Sequence, residues 1–234
     1  AAFDRIDHDR LLEHLGTFPA RGMIAGWLAA GVVEQGRFAP TEEGTPQGGV
    51  ISPMLLNVAL HGMEEAAGVR YLRRGPHGAH VAVDSPVLVR YADDFVVMCH
   101  TQDQAHQVRH RLGQWLAPRG LRFNEDKTRI VHLDQGFDFL GFNVRRYGTG
   151  GKLLIKPSPA AVSRIRQRLA TEVRSLHGSN AEAVIHRLAP IIRGWAAYYR
   201  SVVSKEVFYQ VDHHLWRLLY QWARRAHPNK SRHW

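Results

Sequence analysis

The spacing of hydrophobic residues changes once along the chain, near residue 157. Before that point, segments with apolar residues three and four positions apart alternate with short runs rich in β-branched residues, which predicts mixed α and β structure. After it only the helical spacing remains, and three helices are predicted: one from Ser158, capped by that serine, one over 180–200 with a bend or break near Pro190, and one over 204–226. We therefore expect two domains, 1–157 and 158–234.

Within the first domain the pattern predicts several short elements joined by loops. The glycine- and proline-rich stretch 32–49 indicates loops with a short hairpin, and residues 73–86 indicate a loop. Ser52 is expected to cap the helix that begins at Pro53. The predicted helices lie at 11–15, 23–31, 53–63 and 102–118, and the predicted strands at 121–123, 129–133, 137–146 and 152–156.

Two adjacent aspartates stand between two β-rich runs, 87–91 and 95–99. This pattern predicts a hairpin with Asp93 and Asp94 at its turn. Two neighbouring carboxylates repel each other and gain nothing from burial, whereas a divalent cation resolves the repulsion. Mg²⁺ prefers such hard oxygen ligands. The alternative is a polar turn without a ligand, which the dipeptide alone favours because Asp is a common turn residue.

The positive charge is concentrated in the second predicted domain. The 234 residues carry a formal net charge of +10, and residues 158–234 hold 13 Lys and Arg against 4 Asp and Glu. Such a block predicts a nucleic acid or an anionic membrane surface as partner, and the 26 arginines among the 31 cations favour phosphate binding. The sequence contains no run of about 18 apolar residues, so no membrane-spanning helix is predicted. The single cysteine, Cys99, agrees with a reducing compartment.

Six ordered motifs give the chain a family resemblance. Tyr-Ala-Asp-Asp at 91–94 follows Gly-Thr-Pro-Gln-Gly-Gly-Val-Ile-Ser-Pro-Met-Leu-Leu-Asn at 44–57. Further blocks lie at 120–128 and 137–142, and two more at 191–199 and 222–231. Together they resemble the group II intron-encoded reverse transcriptases, which include a maturase region. The resemblance implies an α+β polymerase palm, an antiparallel sheet with helices, followed by an all-helical thumb and maturase domain.

The resemblance also implies an activity and the residues that serve it. The activity is that of an RNA-directed DNA polymerase, a nucleotidyltransferase, which also assists intron splicing in the bacterial cytoplasm. The partners of such an enzyme are group II intron RNA, an RNA template with a DNA primer, and dNTPs. The resemblance implies no oligomeric state. Asp93 and Asp94 correspond to catalytic residues that bind Mg²⁺. The residues implied for nucleotide or primer binding are Gln47, Gly48, Tyr91, Lys127, Leu140 and Gly141. The alternative for Lys127 is a solvated surface lysine.

The basic last third predicts an RNA-binding surface. Its cations alternate with Trp and Tyr residues, a composition suited to phosphate contact and base stacking. An ordinary helical bundle with aromatic residues inside is the alternative. The cations expected to bind RNA are Arg193, Arg200, Arg217, Arg224, Arg225, Lys230 and Arg232.

One motif of the family is incomplete at the start of the sequence. The family block is Asp-Ile-Lys-x-x-Phe-Asp, and Phe3 and Asp4 match its last two residues. Its first aspartate, a metal ligand, would fall three residues before Ala1. We therefore expect the 234-residue chain alone not to polymerise DNA. The alternatives are a non-catalytic, maturase-like RNA-binding splicing factor and a CRISPR-associated reverse transcriptase.

Overall fold

The computed structural model describes residues 5–34, 37–39, 44, 49–73, 79–148 and 150–231. The chain divides into two compact units, Ala1–Ile130 and Val131–Trp234. This division falls before a three-stranded sheet, whereas the boundary predicted from hydrophobic spacing and charge follows it. The boundary at residue 157 stays a prediction.

The first unit contains five α-helices, a short 3₁₀ helix (Ala117–Arg119) and three two-stranded antiparallel sheets within the described residues. The sheets pair β1 with β2, β3 with β4, and β5 with β6. The helices are α1 (His8–Leu15), α2 (Arg21–Ala29), α3 (Ser52–Ala59), α4 (Met63–Ala67) and α5 (Gln102–Leu116). The strands are β1 (Val32–Glu34), β2 (Arg37–Ala39), β3 (Tyr71–Arg73), β4 (Ala79–Val81), β5 (Val87–Tyr91) and β6 (Asp94–Met98).

The apolar faces of the helices form the core of the first unit. Leu11 of α1, Leu56 of α3 and Leu112 of α5 are almost fully buried and belong to one hydrophobic cluster. Leu88 of β5 is buried in the same cluster, and Val97, its cross-strand partner on β6, packs against it. The base of the β5–β6 hairpin is therefore anchored in the core.

Several local predictions for the first unit were wrong. Ser52 does not cap α3: it is the first helical residue, and Ile51 before it already has helical backbone angles. The predicted helix 53–63 is two helices, since Gly62 takes φ 86°, which interrupts the helical backbone. Part of the predicted loop 73–86 forms β4, which pairs with β3.

Two predicted strands are absent from the described residues. Residues 121–123 and 129–133 have no strand assignment. Between them, the backbone N–H groups of Lys127 and Thr128 both donate to the Asn124 carbonyl, and the Asn124 side chain accepts from the Asp126 N–H. The turn chemistry of Asn and Asp therefore outweighs the β propensity of the apolar residues on either side.

The second unit is a three-stranded antiparallel sheet followed by three helices. The sheet has the order β7-β8-β9. Its elements are β7 (Phe137–Phe139), β8 (Phe142–Tyr147), β9 (Lys152–Pro157), α6 (Pro159–Ser175), α7 (Ala181–Tyr199) and α8 (Lys205–Ala226). The predicted α+β arrangement with a helical last part is confirmed.

The helices of the second unit have clear starts and a common core. The Ser158 side chain accepts from the Ala161 N–H, so the predicted cap is confirmed. Helix α7 runs through Pro190 without a break, so of the predicted bend or break the break is wrong; the bend stays a prediction. Because Leu188 of α7 packs with Leu169 of α6 and Val211 of α8 in one cluster, core packing outweighs the hydrogen bond that proline cannot make.

None of the helices described combines the length and apolar character that crossing a bilayer requires.

Candidate functional site

The β5–β6 hairpin presents the predicted catalytic residues at its tip. Tyr91 pairs with Asp94, so Ala92 and Asp93 form a two-residue turn. Ala92 has φ 53°, in the left-handed region that costs a non-glycine residue about 1–2 kcal/mol. Such strain persists only where the surroundings hold it, and it is concentrated at functional sites.

An arginine that sequence reasoning missed holds this turn. The Arg90 guanidinium donates to the Asn57 side-chain oxygen on α3 at 2.8 Å and to the Ala92 carbonyl at 3.0 Å. One side chain thus connects the strained turn to a helix of the core. Arg90 precedes the Tyr-Ala-Asp-Asp motif and Asn57 ends the 44–57 block, but the two residues are 33 positions apart and no local pattern joins them.

The hairpin tip leaves its polar groups open to solvent. Tyr91 is 67% exposed, and both aspartates are exposed. Among the described residues neither carboxylate has a hydrogen bond or an ion pair. Hard carboxylate oxygens of this kind suit a divalent cation. The described part of the chain holds no group of three His, Cys, Asp or Glu able to bind a metal; at this tip two aspartates are adjacent.

The other residues predicted around the nucleotide are distributed differently. Gln47 and Gly48 lie outside the described residues. Lys127 lies in the exposed turn after α5 rather than on the hairpin. Leu140 and Gly141 belong to the second unit, where they form the turn between β7 and β8.

The Leu140–Gly141 turn is held by two tyrosines. Phe139 pairs with Phe142, and both turn residues have positive φ, 51° and 81°. A two-residue turn of this type favours Asn-Gly, so Leu140 is strained. From α7, the Tyr198 hydroxyl donates to the Leu140 carbonyl at 2.9 Å and the Tyr199 hydroxyl to the Gly141 carbonyl at 3.2 Å.

The same two tyrosines pack on the sheet. The Phe142 ring lies 5.0 Å from the Tyr198 ring and 5.1 Å from the Tyr199 ring. Burial raises the pKa of the Tyr199 hydroxyl, which therefore stays protonated and able to donate at neutral pH. The sequence predicted this turn as a primer-binding element but did not predict the residues that hold it.

The predicted RNA-binding cations lie on the helices of the second unit. Arg193 lies on α7 and Arg200 directly follows it, while Arg217, Arg224 and Arg225 lie on α8. These five residues are exposed, as is Lys230, and Arg232 lies outside the described residues. Residues 131–234 hold 17 Lys and Arg against 6 Asp and Glu, whereas residues 1–130 hold 14 against 15. The excess charge therefore belongs to the second unit.

Comparisons with known proteins agree with both parts of the chain. A model of the reverse transcriptase (RNA-dependent DNA polymerase) family matches residues 1–144. A model of the group II intron maturase-specific domain matches residues 162–234.

Three curated relatives are similar over about three-fifths of this chain. Protein YkfC of Escherichia coli K12 is 33% identical over 169 residues, 62% of this chain and 44% of its own length. The group II intron-encoded protein LtrA of Lactococcus lactis is 26% identical over 204 residues, 63% and 34% of the two chains. An uncharacterized 91 kDa protein in the cob intron of Schizosaccharomyces pombe is 36% identical over 194 residues, 62% and 24%.

The chain spans less than half the length of each of these relatives. The reverse transcriptase model nevertheless covers more than half of this chain, and the maturase model covers most of the remainder. The chain therefore belongs to the reverse transcriptase family, and its residues 162–234 form a group II intron maturase-specific domain.

Proposed function

We propose that this chain supplies the metal-binding polymerase hairpin of an RNA-directed DNA polymerase and the RNA-binding helices of a group II intron splicing cofactor. The observation that carries the proposal is the strained, Arg90-bonded turn with Asp93 and Asp94 exposed at its tip. Its partners would be group II intron RNA, a primed RNA template and dNTPs. The single free cysteine and the two bacterial relatives support a place in the bacterial cytoplasm.

Reverse transcriptases generally use a divalent metal, and we propose Mg²⁺ for this chain. The oxygens of Asp93 and Asp94 would hold the ion, which when bound activates a primer hydroxyl and neutralises developing phosphate charge. Tyr91 would lie beside the primer end because it adjoins the turn. Gln47, Gly48 and Lys127 would contact the incoming nucleotide, and the Leu140–Gly141 turn would contact the primer.

A metal titration of the 234-residue chain tests the hairpin. Mn²⁺, a spectroscopic substitute for Mg²⁺, is followed by electron paramagnetic resonance. We expect the Asp93→Asn, Asp94→Asn double variant to bind Mn²⁺ at least about tenfold more weakly, since a hard cation loses both charged ligands. The matched control is Asp103→Asn, which removes another exposed carboxylate of the same unit. Equal Mn²⁺ affinity in the double variant and the unaltered chain would remove these residues from the metal site.

A salt titration of RNA binding tests the helices. The logarithm of the affinity for structured RNA should fall linearly with the logarithm of salt concentration, with a slope of about 0.7–0.9 per phosphate contact. Replacing Arg224 and Arg225 by Ala should reduce that slope by about 1.5 if each contacts one phosphate. The control is Arg10→Ala, an exposed arginine of the first unit paired with Glu13 at 2.8 Å. An unchanged slope in the double variant would exclude these two arginines from the RNA surface.

A second function is supported by the maturase-specific domain. Because residues 162–234 match the group II intron maturase-specific domain, a splicing factor that binds intron RNA without DNA synthesis is the second candidate. Primer extension on an RNA template with Mg²⁺ separates the two functions when it is observed. Extension by the 234-residue chain would contradict the second candidate and also our sequence-based expectation that this chain alone is inactive.

A further inference from the structure

The solvent side of α8 carries aromatic rings as well as charges. Tyr209, His213, Trp216 and Tyr220 follow one another at steps of four, three and four residues, which places them on one face of the helix. The core side of α8 is formed by other residues, among them Val211, Leu215, Leu218 and Trp222. Trp216 is 59% exposed, Tyr209 is 73% exposed and His213 is exposed, while Tyr220 is half-buried. The packing of the three helices therefore does not account for the first three rings.

Three of these rings stand parallel to one another. The ring centroids of His213 and Trp216 are 6.1 Å apart, with 18° between the planes. Those of Trp216 and Tyr220 are 5.4 Å apart, with 12° between the planes. We call His213, Trp216 and Tyr220 the ring row. Because its ring planes are already aligned, few side chains would have to be ordered when a flat ligand stacks there, and the entropy cost of binding would be small.

Cations flank the ring row. Arg217 and Arg224 are exposed and lie beside it on the helix surface, four residues after His213 and four after Tyr220 respectively. Neither has an ion pair among the described residues. The acidic residues of α8 are Glu206 in its first turn and Asp212, which lies four residues before Trp216, and the helix has no acidic residue after Asp212. The end of α8 that carries Trp216 and Tyr220 is therefore positively charged, within a unit whose residues sum to +11.

We infer that the ring row is a stacking site for unpaired RNA bases, with Arg217 and Arg224 holding the adjoining phosphates. This inference rests on the proposed RNA-binding function and adds to it the kind of RNA bound. Every base has a flat π-face that stacks on an aromatic ring, whereas a base inside a duplex has its faces covered by neighbouring pairs. The charge of the surroundings favours a polyanion over a neutral protein surface as the occupant.

Two oligonucleotides of equal charge separate stacking from electrostatic attraction. One is oligoadenylate of about 12 nucleotides, within the site size of single-strand binders, and the other is an abasic ribose-phosphate strand of the same length. Fluorescence anisotropy gives the affinity of the 234-residue chain for each at fixed salt. We expect oligoadenylate to bind more tightly than the abasic strand.

The variants test which ring is responsible. Trp216→Ala should lose about tenfold in affinity for oligoadenylate and none for the abasic strand, with an unchanged salt slope because no charge is removed. Trp216→Phe should restore most of the affinity because it keeps a ring. The matched control is Trp27→Ala, since Trp27 is a 48% exposed tryptophan of the first unit. Circular dichroism melts verify that all variants are folded.

The outcomes separate this inference from the proposed function. If Trp216→Ala binds oligoadenylate as tightly as the unaltered chain, or if the two strands bind equally, the ring row does not stack bases although RNA binding stands. If the unaltered chain binds neither strand nor structured RNA, the proposed function itself fails. If sedimentation shows self-association that Trp216→Ala abolishes, the ring row binds a second copy of the chain and our inference is wrong.

Discussion

The turn at Leu140 and Gly141 allows an energetic coupling to be predicted between Gly141 and Tyr199. Gly141 has φ 81°, and a Cβ atom built on it would lie 2.7 Å from the Tyr199 hydroxyl oxygen. Gly141→Ala therefore introduces two costs. The left-handed backbone costs an alanine about 1–2 kcal/mol, and displacing the hydroxyl breaks a hydrogen bond worth about 0.5–1.5 kcal/mol.

The two single variants have different expected magnitudes. Gly141→Ala should lower the free energy of unfolding by about 1.5–3.5 kcal/mol, the sum of both costs. Tyr199→Phe removes only the hydroxyl and should cost about 0.5–1.5 kcal/mol. The Gly141 carbonyl is not left unsatisfied in that variant, because it also accepts the Ser158 N–H at 2.8 Å.

The double variant distinguishes contact from independent effects. Once Gly141→Ala has displaced the hydroxyl, removing that hydroxyl costs little more. The double variant should therefore be about as stable as Gly141→Ala alone, a departure from additivity of about 0.5–1.5 kcal/mol.

Urea denaturation measures this cycle. Far-UV circular dichroism follows the helices, and tryptophan fluorescence follows the site because the Trp195 ring lies 4.7 Å from the Tyr199 ring. Tyr198→Phe is the comparison: its hydroxyl bonds the Leu140 carbonyl instead, so its coupling to Gly141→Ala should be smaller than that of Tyr199→Phe. If the losses of unfolding free energy caused by Gly141→Ala and Tyr199→Phe add fully, the predicted contact between the new Cβ atom and the Tyr199 hydroxyl is refuted.

Three further predictions concern single positions. Ala92→Gly should raise the free energy of unfolding by about 0.5–1 kcal/mol in the same assay, because relieving the left-handed strain outweighs the entropy that glycine adds to the unfolded chain; a loss of stability would contradict the strain at Ala92. The side-chain hydrogen bond from Arg146 lowers the pKa of Asp134. The stabilisation that this hydrogen bond gives to the folded chain is therefore present at neutral pH and is lost as pH falls below about 4. Arg146→Gln should raise the pKa of Asp134, which carboxyl-detected NMR measures. Burial raises the pKa of the Cys99 thiol, so iodoacetamide should alkylate it more slowly in the folded chain than in urea near pH 8; equal rates would show an open thiol.

Local sequence patterns predicted the elements whose causes are local. Ser158 and Pro159 open α6 because a side-chain cap and a fixed φ act within one turn of helix. The hairpin at the aspartates was predicted for the same reason, since β-rich runs flank residues that favour turns, but the turn is Ala92–Asp93 and Asp94 is the first residue of β6. The single helix predicted over 53–63 was wrong, because its apolar spacing continues past Gly62 although the backbone does not.

The surroundings of the candidate site were not predictable because they depend on distant contacts. Arg90 reaches Asn57 across 33 positions, and Tyr198 reaches Leu140 across 58. The spacing of hydrophobic residues along the chain carries no information about such hydrogen bonds. The family motifs marked Asp93, Asp94, Leu140 and Gly141 as candidates, but side-chain geometry was needed to show what holds their turns in place.

The distance between Leu140 and Tyr198 in the sequence also sets an order of events during synthesis. At about 5–20 residues per second, the 58 positions between them take roughly 3–12 s to translate. Throughout that interval the β7–β8 turn has been made without the tyrosines that hold its carbonyls, and a hairpin alone is at best marginally stable in water. The nascent chain therefore passes through a period in which its strand edges are open to wrong pairing, and this period ends when α7 docks.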